Sequence, residues 1–110
     1  KLELGNIDII RDWGSSEEYM KIIIKIMENN KIEDYILATG FSIKLRKIVE
    51  YFFKKENLDY RKYIKINKKF FRAYDIKENY ADINKIKKII KIYPKKRHKD
   101  LIDQFYKYEI

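Results

Sequence analysis

With 110 residues, 45% of them hydrophobic, the chain has the length of one small domain and the apolar content to bury ~65% of its unfolded surface, which excludes a disordered polypeptide. Lys and Arg total 26 against 17 Asp and Glu, a formal charge of +9, so anionic partners such as nucleotides, nucleic acids or acidic lipid come into consideration. The absence of cysteine excludes disulfides, thiolate catalysis and Cys-based zinc sites and suits a reducing compartment. The single histidine excludes a His-rich metal centre.

Apolar runs such as residues 22–24 and 89–90 fall far short of the ~20 residues of a membrane span. No charged segment followed by an apolar stretch opens the chain, so a soluble, cytoplasmic protein is expected. The chain starts Lys1-Leu2-Glu3-Leu4-Gly5 rather than with Met, entering directly into an alternating pattern as if cut from something longer.

Leu2 and Leu4 alternate with Lys1 and Glu3, the period of a half-buried strand ended by Gly5-Asn6. A loop is expected from Ile7 to Gly14. Ser15 then stands three residues before Glu18, the spacing of a capping box, and Tyr19, Ile22, Ile23, Ile26 and Met27 recur on one face until Asn29-Asn30, which predicts a helix. Met20 and Ile24 on its other flank predict burial on more than one side. Residues 34–38 have the length and content of a buried strand stopped by Thr39-Gly40. Ser42 is the expected cap of a second helix with Leu45, Ile48, Val49, Phe52 and Phe53 at i, i+3, i+4, i+7 and i+8. Tyr63, Ile64 and Ile66 predict a third short strand. Asp82 is the expected cap of a helix carrying Ile83, Ile86, Ile89 and Ile90 that Pro94 ends, and Leu101, Ile102, Phe105 and Tyr106 mark a final amphipathic helix. No repeat and no Gly/Ser- or Pro-rich linker interrupts the pattern, so a single domain over residues 1–110 is expected, α/β in class, with helices predominating over a few short strands.

Residues 56–110 carry 16 basic and 8 acidic side chains, whereas residues 1–55 are nearly balanced. Lys interleaved with Tyr and Phe in the second half suggests a nucleic-acid binder. Over-use of Lys, Ile, Asn and Tyr along the whole chain accounts for the pattern more simply, and no reader motif is present. Tyr51 and Lys55 have the Tyr-x-x-x-Lys spacing of a catalytic pair, but ten tyrosines among so many lysines supply roughly two such pairs by chance. Gly5, Gly14 and Gly40 build neither G-x-G-x-x-G nor a P-loop, so no dinucleotide cradle is expected here. His98, among Lys95, Lys96, Arg97 and Lys99, reads as a surface histidine. Ser15, Ser16 and Ser42 read as caps, since no His–Asp pair exists to activate one. Arg11 and Arg72 stand apart because each lies beside aromatic residues, Trp13 and Phe70-Phe71, as suits a bidentate grip on phosphate, with a surface ion pair to Asp12 as the plain alternative for Arg11.

The order Leu4-Gly5-Asn6, Arg11-Asp12-Trp13-Gly14, Glu18-Tyr19, Asp34-Tyr35-Ile36-Leu37-Ala38-Thr39-Gly40, Arg46 and Val49-Glu50, followed by Phe70-Phe71-Arg72, resembles the C-terminal part of the GDP-mannose 4,6-dehydratase family, extended short-chain dehydrogenases/reductases acting on nucleotide sugars. Each piece alone is weak, and the combination is specific. The resemblance is tight over about the first 55 residues and looser to the last helix. It implies the substrate-binding lobe of an NADP-dependent lyase whose Rossmann domain, holding NADP and the catalytic residues, is not in this chain.

The resemblance also implies a set of substrate contacts: Leu4 and Gly5 at the base of the site, Arg11 and Arg72 toward the diphosphate and ribose of a GDP-sugar, and Asp75, three residues past the second arginine, on ribose hydroxyls. It implies no catalytic residue, cofactor site or metal in the chain, no membrane partner, and a missing or separately encoded Rossmann domain, making the chain a fragment, a remnant or one subunit of a split enzyme; an oligomer is compatible with it. Some positions depart from the family pattern. Ala73 replaces the Pro after the second arginine, Ser15-Ser16 replace His-Ala, and Ala81-Asp82-Ile83 replace Gly-Asp-Pro, while the insertion before the second arginine shrinks to about residues 58–65. A basic nucleic-acid-binding or interaction module without enzymatic activity is the alternative.

Overall fold

The computed structural model describes residues 1–109. Its architecture is α/β, four helices with a few strands of three residues each. The chain folds into two compact units, one of Lys1–Arg11 and Ile43–Asn79, the other of Asp12–Ser42 and Tyr80 to the last described residue. The chain passes between them after residues 11, 42 and 79, at points that no linker composition marks.

In the first unit, β1 (Leu2–Leu4) pairs in parallel with β4 (Ile64–Ile66), Leu2 opposite Ile64 and Leu4 opposite Ile66. The ladder is extended at both ends, Leu2 N–H donating to the Tyr63 carbonyl (2.8 Å) and Asn67 N–H to that of Leu4 (2.8 Å). Both expected strands are therefore present. The expected loop at residues 7–14 instead contains β2 (Ile10–Asp12), which is hydrogen-bonded to β3 (Ser42–Lys44). Ser42 is thus a strand residue and does not cap α2 (Leu45–Lys55), whose N-cap, Lys44, makes no side-chain cap bond. The first two N–H groups of α2 donate to backbone instead, Leu45 to the Ile9 carbonyl (3.0 Å) and Arg46 to that of Ile7 (2.7 Å). These carbonyls answer the donors that a helix start leaves open, so no Ser or Asp is needed there. Ile7 is buried beneath them. The Arg46 guanidinium fixes the same corner, Nε and Nη2 each donating at 2.8 Å to the Asp8 carboxylate and Nη1 donating to the Tyr60 hydroxyl at 3.0 Å. The hydrogen bond from Arg46 holds the Asp8 carboxyl below the usual carboxylate range.

In the second unit, α1 (Ser16–Glu28) starts as expected, with the Ser15 hydroxyl accepting from Glu18 N–H. The other half of the capping box is absent, because the Glu18 carboxylate accepts from the N–H groups of Lys95 (3.1 Å) and Lys96 (2.9 Å). Burial of α1 is narrower than the sequence predicts: Ile22 is buried, while Met20, Ile24 and Met27 are 56, 54 and 79% exposed. Ile22 packs with Ala38, Ile83 and Ile86 in the core of this unit. The expected strand at 34–38 is not formed; these residues are irregular, with alternate side chains half-buried. Among the described residues they have no neighbouring strand, and a β-segment without a ladder leaves its polar groups to other partners. The Asp34 carbonyl accepts from Lys85 Nζ at 2.7 Å.

The residues after this segment are held by Asp12. Its Oδ1 accepts from Thr39 N–H (3.1 Å) and Thr39 Oγ1–H (2.7 Å), and its Oδ2 from Gly40 N–H (2.8 Å). Gly40 has φ +75°, and an added Cβ would lie 2.7 Å from Ile83 Cδ1, so glycine is required by both backbone and space. Helix α3 is short (Asn84–Ile89), and Ile83 rather than Asp82 is its N-cap. The Asp82 carboxylate still accepts from Asn84 N–H at 2.9 Å. Pro94 does not end α3; Lys91, in the left-handed region at φ +66°, turns the chain with its N–H on the Ile86 carbonyl.

The final helix, α4 (His98–Glu109), buries Ile102, while Phe105, expected on its apolar face, is exposed. His98 is not the surface residue its basic neighbours suggest. It is 9% exposed and stacks on Phe41 at 6.2 Å between centroids, with the Arg97 guanidinium 4.1 Å from the same ring. No helix among the described residues is long and apolar enough to cross a membrane.

Replacing Asp12 with Ala leaves three donors at residues 39–40 without their acceptor and is expected to lower unfolding free energy by about 1–3 kcal/mol, measured by urea denaturation; an unchanged midpoint would show that the clamp is dispensable. Burial, reinforced by Lys99 and Arg97 against the opposing Asp100, lowers the His98 pKa below 6.5. The neutral imidazole is therefore the folded form, and its contribution to stability is full above the unfolded value of about 6.5 and lost as pH falls through the lower folded value. The urea midpoint is expected to drop between pH 7.5 and pH 5, with a smaller drop in His98→Gln.

Candidate functional site

Each of the five residues singled out from the sequence lies in the first unit. Arg11 is the middle residue of β2. Beside it, Ile10 forms a parallel bridge with Glu78, its N–H donating to the Lys77 carbonyl (2.9 Å) and its carbonyl accepting from Asn79 N–H (3.1 Å). This short ladder carries residues 75–79 to β2. As a result Arg11 Nη2 donates to Asp75 Oδ1 at 2.8 Å, across 64 positions of sequence, with the two side chains 24 and 22% exposed. Arg11 Nη1 donates to the Ile10 carbonyl at 2.8 Å. The plain alternative, pairing of Arg11 with Asp12, is not what forms, because the Asp12 carboxylate is committed to residues 39–40.

Arg72 is exposed and, among the described residues, has neither a hydrogen bond nor an ion pair. It lies three residues before Asp75, a span that extended chain covers in at most ~11 Å. Leu4 and Gly5 form the seat of the segment that leads to it. The Leu4 carbonyl receives Asn67 N–H, and a Cβ on Gly5 would lie 3.1 Å from the Phe70 carbonyl oxygen. Gly5 thus permits a close backbone approach two residues before Arg72. A single turn of 3₁₀ helix, Lys68–Phe70, is capped by the Asn67 side chain accepting from Lys69 N–H and completes this corner.

The structure brings Arg11 and Asp75 together and shows no contact of Arg72 with either. Arg11 is aimed by its hydrogen bonds, Arg72 projects into water, and Asp75 in its ionised form only accepts. The sequence contained Arg11 and Asp75 as separate candidates; it held no local signal that they pair, since the bridge from Ile10 to Glu78 comes from a stretch without strand-like alternation. An open hollow of about 520 Å³ in the same unit, lined by Glu50, Lys54, Leu58, Asp59, Tyr60 and Arg61, includes none of the five. Its Arg61 is paired with Asp59 at 2.8 Å, as Arg11 is with Asp75. No group of three or more His, Cys, Asp or Glu among the described residues could hold a metal ion.

The chain matches the family model for GDP-mannose 4,6 dehydratase over residues 1–105. It is 30% identical over 95 residues to GDP-mannose 4,6 dehydratase 1 of Arabidopsis thaliana, covering 86% of this chain and 26% of that protein. With the GDP-mannose 4,6 dehydratase of Drosophila melanogaster it shares 27% identity over 125 residues, covering 98% of this chain and 32% of that one. Among solved structures, RMD from Pseudomonas aeruginosa complexed with NADPH has a similar fold, with a TM-score of 0.75 at 16% identity over 92% of this chain and 33% of that one. The chain therefore spans between a quarter and a third of the length of these relatives. With a bridge that joins Arg-Asp-Trp-Gly to the segment behind Phe-Phe-Arg, and a family match running nearly from end to end, the chain belongs to the GDP-mannose 4,6 dehydratase family.

Proposed function

We propose that this chain is a C-terminal portion of a GDP-mannose 4,6-dehydratase-like enzyme and that its first unit binds the nucleoside diphosphate of a GDP-sugar. Leu4 and Gly5 set the floor, Arg11 and Arg72 take the phosphate oxygens, and Asp75 accepts from ribose hydroxyls. The observation that carries this reading is the 2.8 Å contact of Arg11 with Asp75. It draws the family's two arginine-bearing segments into one corner of one unit. Two guanidiniums supply charge-assisted hydrogen bonds of about 1.5–3 kcal/mol each, which suits a ligand with two or more negative charges.

The hydride chemistry of the family belongs to NADP, and the glycines of this chain do not fit it. Gly14, in the turn between β2 and α1, is closed over by the Tyr19 side chain, Gly40 by Ile83, and Gly5 by the Phe70 backbone, so none leaves room for a pyrophosphate against bare backbone. The reading accordingly assigns NADP and the catalytic groups to the remainder of the enzyme, and dehydration to the assembled protein. The segment 34–38, without a ladder in its unit, and the exposed Met20, Ile24 and Met27 of α1 support a larger body against which this chain packs.

Titration with GDP tests the site. Arg11→Ala and Arg72→Ala are each expected to weaken GDP binding by about tenfold or more, from the loss of one charge-assisted contact. Lys54→Ala, at the separate hollow, is expected to leave it unchanged. Equal, small losses from all three substitutions would mean that GDP responds to net charge alone and would remove the assignment.

A further inference from the structure

The excess charge of the chain is not spread along it. Residues 85–99 carry eight basic side chains and no acidic one, while the other 95 residues carry 18 basic against 17 acidic. A drift in composition raises lysine everywhere and does not account for a balanced chain with one cationic stretch in it. Runs of like charge are ordinarily disordered tails, yet this one is folded. It passes from α3 through the left-handed turn at Lys91 and the buried Pro94 to the start of α4.

Its apolar members are turned inward. Ile86 is fully buried, and Ile90 and Tyr93 pack on the core of the second unit, which leaves Lys85, Lys87, Lys88, Lys91 and Lys95 exposed. The ammoniums of Lys87 and Lys95, from either side of the turn, lie 4.7 and 5.3 Å from the centroid of the Tyr93 ring and hence at most 10 Å apart, a separation over which like charges still repel at ~0.1 M salt. Acidic groups meet the segment at its ends: Glu33 on Lys85 at 3.3 Å, Glu18 on the backbone N–H groups of Lys95 and Lys96, and Asp100 on that of Arg97. Lys87, Lys88, Lys91 and Lys95 form no ion pair among the described residues.

We propose that this segment, through Lys87, Lys88, Lys91 and Lys95, binds the phosphate backbone of nucleic acid without regard to sequence. A duplex carries one negative charge per ~1.7 Å of its axis, so several phosphates come within reach of the lysines at once, and each one neutralised releases condensed counterions. An ammonium is a point charge without the planar fork that reads a base edge, so the contacts position the backbone and specify no base. An anionic bilayer fits less well, because interfacial binding buries apolar side chains beside the cations, and here Ile86 and Ile90 are committed to the core.

Fluorescence anisotropy of the full chain with a short mixed-sequence DNA duplex, at increasing salt, tests this surface. The logarithm of the association constant is expected to fall with the logarithm of salt at a slope of about −3 to −4, close to one counterion per lysine. Lys87→Gln, Lys88→Gln and Lys91→Gln together are expected to remove about 2–3 of that slope and to weaken binding about tenfold or more at low salt, with the urea midpoint unchanged. Lys47→Gln, Lys54→Gln and Lys62→Gln, in the first unit, make the same change in net charge and are expected to lower the slope by less than about one. Equal losses from the two triple variants would mean that the duplex responds to net charge alone. Poly-glutamate or phosphatidylserine vesicles binding more tightly than the duplex would name a different partner. Either result overturns the proposal, as does a duplex that fails to bind at low salt. None of these results bears on GDP binding, since residues 85–99 lie outside the unit that holds Arg11.

Discussion

Carboxylates set against backbone N–H groups hold the irregular parts of both units. With strands of three residues, much of the chain has no ladder to answer its donors, and an unanswered buried donor costs about 1–3 kcal/mol. Asp12 answers residues 39–40, Glu18 answers Lys95 and Lys96, Asp59 answers Arg61, and Asp100 answers Arg97. Each carboxylate so committed is withdrawn from ion pairing with the abundant lysines. Arg11 pairs with Asp75 rather than with its neighbour Asp12 for this reason, and the pair adds a side-chain link to the backbone bridge between β2 and the segment after Arg72.

Elements whose determinants are local were legible in the sequence. Ser15 and the apolar spacing of α1, the i, i+3, i+4 pattern of α2, and the alternation of Leu2 with Leu4 and of Ile64 with Ile66 each carry the period of the element they form. What escaped is set by distant partners. Ser42 has the right chemistry for a cap, yet the carbonyls of Ile7 and Ile9 already meet the donors of α2. Residues 34–38 have strand composition without a strand beside them. His98 lies among cations along the chain, but Phe41 stacks on it in space. The breadth of the apolar face of α1 was overstated because Met20, Ile24 and Met27 supply hydrophobicity that this chain does not bury.

The candidate site shows the same division. The family motifs nominated Arg11, Arg72 and Asp75 individually, and Gly5 gains a physical reason in the approach of the Phe70 carbonyl. The pairing of Arg11 with Asp75 could not be read, because it depends on the bridge between Ile10 and Glu78, a contact across 68 positions with no alternation to announce it. The stretch at 58–65 contains a 3₁₀ turn, Tyr60–Lys62, capped by Asp59, so this chain uses few residues to pass from α2 to β4.

Charge by itself does not make this corner a diphosphate site. Arg11, Arg72 and Asp75 together carry one net positive charge, while residues 56–110 hold 16 basic against 8 acidic side chains. Beyond about 8–10 Å that wider excess is screened at physiological salt, so it speeds the approach of any polyanion and discriminates poorly among them. On the proposed diphosphate reading, discrimination has to arise within hydrogen-bonding distance, where the direction of the guanidinium donors and the position of the Asp75 carboxylate count for more than the total charge around them.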